Sequence, residues 1–264
     1  MKIGFIGAGN MGGAILRGLV SGGFRGGDIL VYDRDSARLM QLFEDCGIVI
    51  SSSAEEVAKQ ADTVILAVKP QILPSVLPAL SPILARRTPL VISIAAGKSI
   101  SWIEELLGGG VPLVRVMPNI AARVGEGMAA FCANGHVTDT HKKNVRMIFE
   151  AVGQIIELDE HLFPAFTSIA GCSPAFTLMY IDSLAQAGVR YGIPKSAALK
   201  IAAQSVLGTT RLMQETGEHP RKLADQVCSP GGTTIEGVCA LQEHGFEDAV
   251  ISAVSASFEK DKKL

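Results

Sequence analysis

An α/β fold is what this sequence predicts: a parallel sheet covered by helices on both faces, followed by an all-helical part. Three observations point there. Short, unbroken apolar runs alternate with helical stretches early in the chain, a glycine-rich turn follows the first run, and strand signals stop near Asp159. Parallel strands buried on both faces read as continuous apolar runs, because the crossover helices cover both sides.

Taken in order, residues 3–6 predict the first strand, and Ile15, Leu16 and Leu19 mark the buried face of the helix after it. Residues 29–32 predict the second strand, Leu39, Leu42 and Phe43 the next helix, and residues 48–50 a short strand. Ser53 and Glu56 have capping-box spacing, which starts another helix. Residues 63–68, 90–94 and 113–116 continue the strand series, and Ser101 with Glu104 marks a helix start before Ile103, Leu106 and Leu107. Residues 127–131 and 154–156 are the last strands. Beyond them, Ser173-Pro174 predicts an N-cap and first-turn proline opening a long helix towards Tyr191. Gly192-Ile193-Pro194 breaks it, and a second long helix runs to about Thr216. Both helices are apolar on several faces, so their burial calls for a partner subunit as well as the sheet. The expected division is residues 1–158 for the sheet domain and 159–264 for a helical, dimerising domain.

Composition narrows the function classes. With 264 residues, 48% hydrophobic and 19% charged, the chain can bury a sizeable core and is not disordered. A net charge of -2 supplies no basic field for nucleic acid. The five cysteines form no C-x-x-C pair, and no histidine stands at zinc-finger spacing from them, so they read as free thiols in a reducing compartment, without a metal. The first strand begins at Lys2, leaving no room for a cleaved signal, and charged residues or glycine interrupt every apolar run. The expectation is a cytoplasmic protein without a membrane span.

The turn Gly7-Ala8-Gly9-Asn10-Met11-Gly12 lies directly after a strand and opens a helix. In that setting Gly7 allows the tight turn, Gly9 lets the backbone approach a pyrophosphate, and Gly12 lets the helix pack on the strand. The phosphates meet free N–H groups at the positive end of the helix dipole. A Rossmann-type dinucleotide-binding domain follows from this context. The end of the second strand, Tyr32-Asp33-Arg34-Asp35, leaves the cofactor open: Asp33 suits the ribose 2′-hydroxyl of NAD, whereas Arg34 suits the 2′-phosphate of NADP. Ala67-Val68-Lys69-Pro70-Gln71 ends another strand at the carboxyl edge, where ligands bind in such sheets; Lys69 either reaches cofactor or faces water. Asn119, in Val116-Met117-Pro118-Asn119, is a candidate for the nicotinamide carboxamide or a turn former. Far along the chain, Ser229-Pro230-Gly231-Gly232-Thr233-Thr234-Ile235 lies between two helices. Its glycines uncover backbone N–H groups suited to a carboxylate, and the Thr234 hydroxyl suits an amine or imine nitrogen.

These blocks together resemble the pyrroline-5-carboxylate reductase family. The resemblance rests on residues 5–11, 67–71 and 115–119, and above all on Val227-Cys228-Ser229-Pro230-Gly231-Gly232-Thr233-Thr234-Ile235-Glu236, which is similar to the family's C-terminal signature. At the head of the long helix this chain reads Ala170-Gly171-Cys172-Ser173-Pro174-Ala175-Phe176 where the family commonly has Ser-Gly-Ser-Gly-Pro-Ala-Tyr. The resemblance implies hydride transfer from NADPH, with NADH as the alternative, to the C=N bond of 1-pyrroline-5-carboxylate, giving L-proline. It places the substrate carboxylate on Ser229, Gly231, Gly232 and Thr233, with Thr234 at the ring nitrogen as the catalytic residue. Cofactor contacts would come from Gly7, Gly9, Asn10, Met11, Gly12, Arg34, Ala67, Val68, Lys69, Pro70 and Asn119. It also implies a homodimer, with a ring of dimers as the larger assembly. The rivals are another imine reductase, a hydroxyacid dehydrogenase and a non-catalytic cofactor-binding regulator. The dehydrogenase needs a base early in the long helix, and residues 173–184 contain neither lysine nor asparagine.

Overall fold

The computed structural model describes residues 1–263. Its elements run β1 (Ile3–Ile6), α1 (Asn10–Ser21), β2 (Ile29–Tyr32), α2 (Ser36–Cys46), β3 (Val49–Ile50), α3 (Ala54–Gln60), β4 (Thr63–Leu66), α4 (Leu73–Arg87), β5 (Leu90–Ser93) and α5 (Ile100–Leu107). They continue with β6 (Leu113–Met117), β7 (Gly127–Ala133), α6 (Asp139–Glu150) and β8 (Gly153–Glu157). The helical part comprises α7 (Phe163–Phe166), a π-helical turn (Thr167–Gly171), α8 (Ser173–Arg190), α9 (Lys195–Thr216), α10 (Pro220–Val227), α11 (Thr233–Glu243) and α12 (Phe246–Asp261). The chain divides into two compact units, one built on Met1–Gly171 and the other on Cys172–Lys260.

The eight strands form one sheet in the order β3-β2-β1-β4-β5-β6-β7-β8. β1 to β6 are parallel, as the unbroken apolar runs predict; β7 then pairs antiparallel with β6. An antiparallel neighbour needs only a short connection, and the helical turn Ile120–Val124 supplies it. Each face carries its own core. Phe5, Ile15, Leu16, Leu19, Val31 and Phe149 belong to one, and Ile6, Val57, Val64, Leu66, Leu77 and Ile103 to the other. Every such side chain, once buried, contributes about 1.5–3 kcal/mol. The strand order reverses between β1 and β4, so a crevice opens at their carboxyl ends. The turn after β1 and the Ala67-Val68-Lys69 segment after β4 therefore meet.

Several local expectations need correction. Ser53 caps α3 by accepting from Glu56 N at 3.2 Å, but the Glu56 carboxylate turns to Ser52 N at 2.6 Å and does not close the box on Ser53. The cap of α5 lies two residues before the expected one: Ser99 accepts from Trp102 N, because Ile100 is already buried as the first helical residue. Ser173 is not an N-cap. The chain is already helical through α7 and the π-helical turn, and Pro174 fits the first turn of α8 without breaking it. The result is a continuous helical stretch, Glu160–Arg190, that is long and apolar enough to cross a bilayer by length and composition, against the expectation from the sequence.

In the second unit Ala185, Ala198 and Ala202 are buried between α8 and α9, where small side chains let the two helices approach closely. Large apolar residues stay exposed around them, among them Leu178, Met179, Ile201 and Leu207. An uncovered surface of this kind marks an interaction face.

Candidate functional site

At the sheet crevice the three glycines each answer a different demand. Gly7 adopts φ +95, and a Cβ there would stand 2.8 Å from the Ala67 carbonyl carbon and oxygen. A Cβ on Gly12 would lie 2.9 Å from that of Ala67, so glycine lets α1 seat against the β4 end. Gly9 is the reverse case: a Cβ would meet nothing within 4 Å, and the turn is open there to a ligand. α1 begins at Asn10 with no side-chain cap and no acid in its first turn. Its first N–H groups are consequently free donors at the positive end of the helix. This turn fits a dinucleotide pyrophosphate.

A cavity of about 420 Å³ lies over it, bringing together Gly7, Gly9, Asn10, Arg34, Ala67, Val68 and Lys69 of the predicted contacts. Met11 and Gly12 lie within the first turn of α1, Met11 packing against the core, and Pro70 opens the short helical turn Pro70–Ile72. Asn119 is not among the residues lining the cavity. Its Oδ1 accepts from Met128 N at 3.1 Å and its Nδ2 donates to the Ala170 carbonyl at 3.0 Å, so the amide ties β6 to β7 and to the π-helical turn.

Asp33, read from the sequence as a ribose acceptor, points inward. Its Oδ2 accepts from Ala8 N at 2.6 Å and its Oδ1 from Asp35 N at 2.9 Å. Arg38, in the first turn of α2, pairs with both carboxylates, 3.4 Å from Asp33 and 3.1 Å from Asp35. Sequence reasoning missed Arg38. A second cavity beside Gly9 and Asn10, about 430 Å³, is lined by Arg17, Arg38 and Arg123. The visible signal for Arg38 was its place three residues after the α2 cap Asp35, which turns it back towards the end of β2.

The 229–234 loop lies wholly within the second unit. Gly232 N donates to the Ser229 carbonyl at 3.0 Å, closing a turn with Pro230 and Gly231 at its corners. Gly231 has φ +68, which with the preceding proline is the type II pattern. A Cβ on Gly232 would stand 2.3 Å from Ser229 Oγ, so the turn keeps that hydroxyl against bare backbone. α11 starts at Thr233 with no side-chain cap, leaving its first N–H groups as free donors. Ser229, Gly231, Thr233 and Thr234 are exposed and Gly232 is partly buried. The loop thus presents backbone donors and hydroxyls with no cation among them, a set suited to a small carboxylate.

Cys132 is no competing nucleophile. Burial, and next the Glu160 carboxylate, push its thiol up to about 12.

Comparison with known proteins agrees with both regions. Residues 2–97 match the family model described as NADP oxidoreductase coenzyme F420-dependent, and residues 160–264 match that of pyrroline-5-carboxylate reductase dimerisation. A pyrroline-5-carboxylate reductase of Escherichia coli (strain K12) is 43% identical over 264 residues, covering 100% of this chain and 98% of the relative. The structure of a pyrroline-5-carboxylate reductase from Coxiella burnetii superposes with a TM-score of 0.96 at 33% identity, covering 99% of this chain and 97% of its own. A Plasmodium falciparum pyrroline carboxylate reductase with NADP bound gives 0.87 at 33% identity, covering 100% and 97%. The dinucleotide-type sheet domain, the helical dimerisation domain and full-length likeness at this identity lead to one statement: this chain belongs to the pyrroline-5-carboxylate reductase family.

Proposed function

We propose that this chain reduces the C=N bond of 1-pyrroline-5-carboxylate to give L-proline, using NADPH as the preferred cofactor and NADH as the alternative. The observation that carries the reading is the 229–234 loop, a turn of exposed backbone donors followed by an uncapped helix start. A substrate carboxylate would sit beside Gly232, whose own N–H closes the turn onto Ser229, and on the N–H groups of Gly231 and Thr233, with the Ser229 hydroxyl donating a further bond. Thr234 is the catalytic residue: its hydroxyl bonds the ring nitrogen and fixes which face of the imine is presented. A protonated imine is already electrophilic, so orientation and local electrostatics suffice without a strong acid.

When bound, the nicotinamide supplies the hydride. The chain's task is to hold that cofactor, through the N–H groups of Asn10, Met11 and Gly12 at its pyrophosphate and Arg34 and Lys69 at its flanking charges. Ala67, Val68 and Pro70 form the wall beyond Gly7 and Gly9. Asn119 keeps that edge in register through its bonds to Met128 and Ala170. We further propose that α8 and α9 are covered by a second copy, that dimers associate into a ring, and that the chain works in the cytoplasm, with 1–158 and 159–264 as its functional division. The apolar stretch Glu160–Arg190 then serves self-association and not a membrane.

Purified protein mixed with 1-pyrroline-5-carboxylate and either NADPH or NADH, with cofactor oxidation followed by absorbance, tests the assignment. Oxidation faster with NADPH is expected; none above background with either cofactor overturns it.

A further inference from the structure

We propose that Arg38 sets the preference for NADPH over NADH, acting through Asp33, whose carboxylate it masks; this rests on the cofactor reading above. An acid at the end of β2 ordinarily accepts bonds from a ribose 2′-hydroxyl and repels a 2′-phosphate. Here that acid is turned to another use. Both Asp33 oxygens accept from backbone N–H groups, of Ala8 and Asp35, and the side chain is only 14% exposed. Asp33 fastens the turn after β1 to the end of β2.

Fastening alone would leave a negative charge beside the cofactor site. Arg38 removes it: its Nη1 lies 3.4 and 3.5 Å from the two Asp33 oxygens, and its Nη2 lies 3.1 Å from Asp35. The guanidinium thus faces both carboxylates of this edge. It also lines both cavities beside Gly9 and Asn10. Arg34, between the two acids in sequence, is exposed, lines the cavity that also holds Ala67 and Lys69, and has no partner among the described residues. A 2′-phosphate entering there meets an unspent guanidinium at Arg34, and Arg38 shields the Asp33 carboxylate from it. The opposing signals of Asp33 and Arg34 are thereby reconciled by a residue one helical turn further on.

Arg38 is a positioning residue in this account, so its test must read selectivity and not activity. Dissociation constants for NADPH and NADH are measured on the full chain without substrate, by nicotinamide fluorescence. The proteins are the wild type, Arg38→Met, Arg38→Lys and the double variant Asp33→Asn/Arg38→Met. Arg38→Met should weaken NADPH about tenfold or more and NADH by no more than about twofold, as expected for one bared charge next to a phosphate. Arg38→Lys, which restores a cation, should keep most of the preference. The double variant should regain most of it, because the Asp33 charge is gone and only the more exposed Asp35 is left bare. Equal weakening of both cofactors by Arg38→Met, or a double variant as poor for NADPH as the single one, would overturn the masking role. Failure of the wild type to bind either cofactor would overturn the cofactor reading itself, whereas failure to reduce the imine would leave the cofactor ratio intact.

Discussion

Replacing Gly9 by alanine separates cofactor binding from folding. Gly9 has φ -63 and ψ -167, a conformation open to alanine, and a Cβ there meets nothing within 4 Å. Removing a glycine's freedom from the unfolded chain at a compatible site stabilises by about 0.4–1 kcal/mol. Gly9→Ala should therefore melt at or slightly above the wild-type temperature. The same methyl group stands where a pyrophosphate approaches the first N–H groups of α1. Losing one charge-assisted hydrogen bond costs about 1.5–3 kcal/mol, or about ten- to a hundredfold in Kd. Gly7→Ala should behave differently. Its backbone lies at φ +95 and its Cβ would fall 2.8 Å from the Ala67 carbonyl. Left-handed strain of about 1–2 kcal/mol and overpacking of about 1–3 kcal/mol both act on the folded state. Thermal unfolding without cofactor and an NADPH titration of each variant give the two readouts. A Gly9→Ala protein that binds NADPH as tightly as the wild type would refute the placement of the pyrophosphate. A Gly7→Ala protein that melts with the wild type would refute the packing argument.

Two further outcomes follow from the second unit. Thr234→Ala should lower kcat by about tenfold or more, the order of one orienting hydrogen bond, while NADPH affinity stays within about twofold; unchanged turnover in a steady-state assay would remove Thr234 from the mechanism. Charge placed on the exposed apolar face of α9, as in Ile201→Asp with Leu207→Asp, should shift the protein towards monomer in light scattering. An unchanged mass would mean that another face carries self-association.

Much of the fold was legible because its signals are local. The runs of β1, β2, β4 and β5 are apolar at nearly every position that a two-sided cover buries, Thr63 and Ser93 excepted, and the Gly7, Gly9 and Gly12 spacing directly after β1 marks the turn. Pro230-Gly231 spells its turn in the same way. What the sequence hid depends on contacts between distant segments. The start of α5 was decided between Ser99 and Ser101 by the burial of Ile100 under the sheet. Gly171 and Pro174 look like breaks, yet the helix passes through both by way of a π-helical turn. The orientation of Asp33 was out of reach for a related reason: its main partner, Ala8 N, lies 25 residues earlier, across the β1–β2 pairing. Local sequence could place an acid there but not say which way it faced.

The central claim is hydride transfer to the imine carbon of 1-pyrroline-5-carboxylate, and isotope transfer tests it most directly. The protein is incubated with this substrate and NADPH deuterated at nicotinamide C4 on the transferred face, and the product is read by mass spectrometry and NMR. The account predicts L-proline carrying one deuterium at C5, the former imine carbon. No proline, or proline without the label, would contradict it.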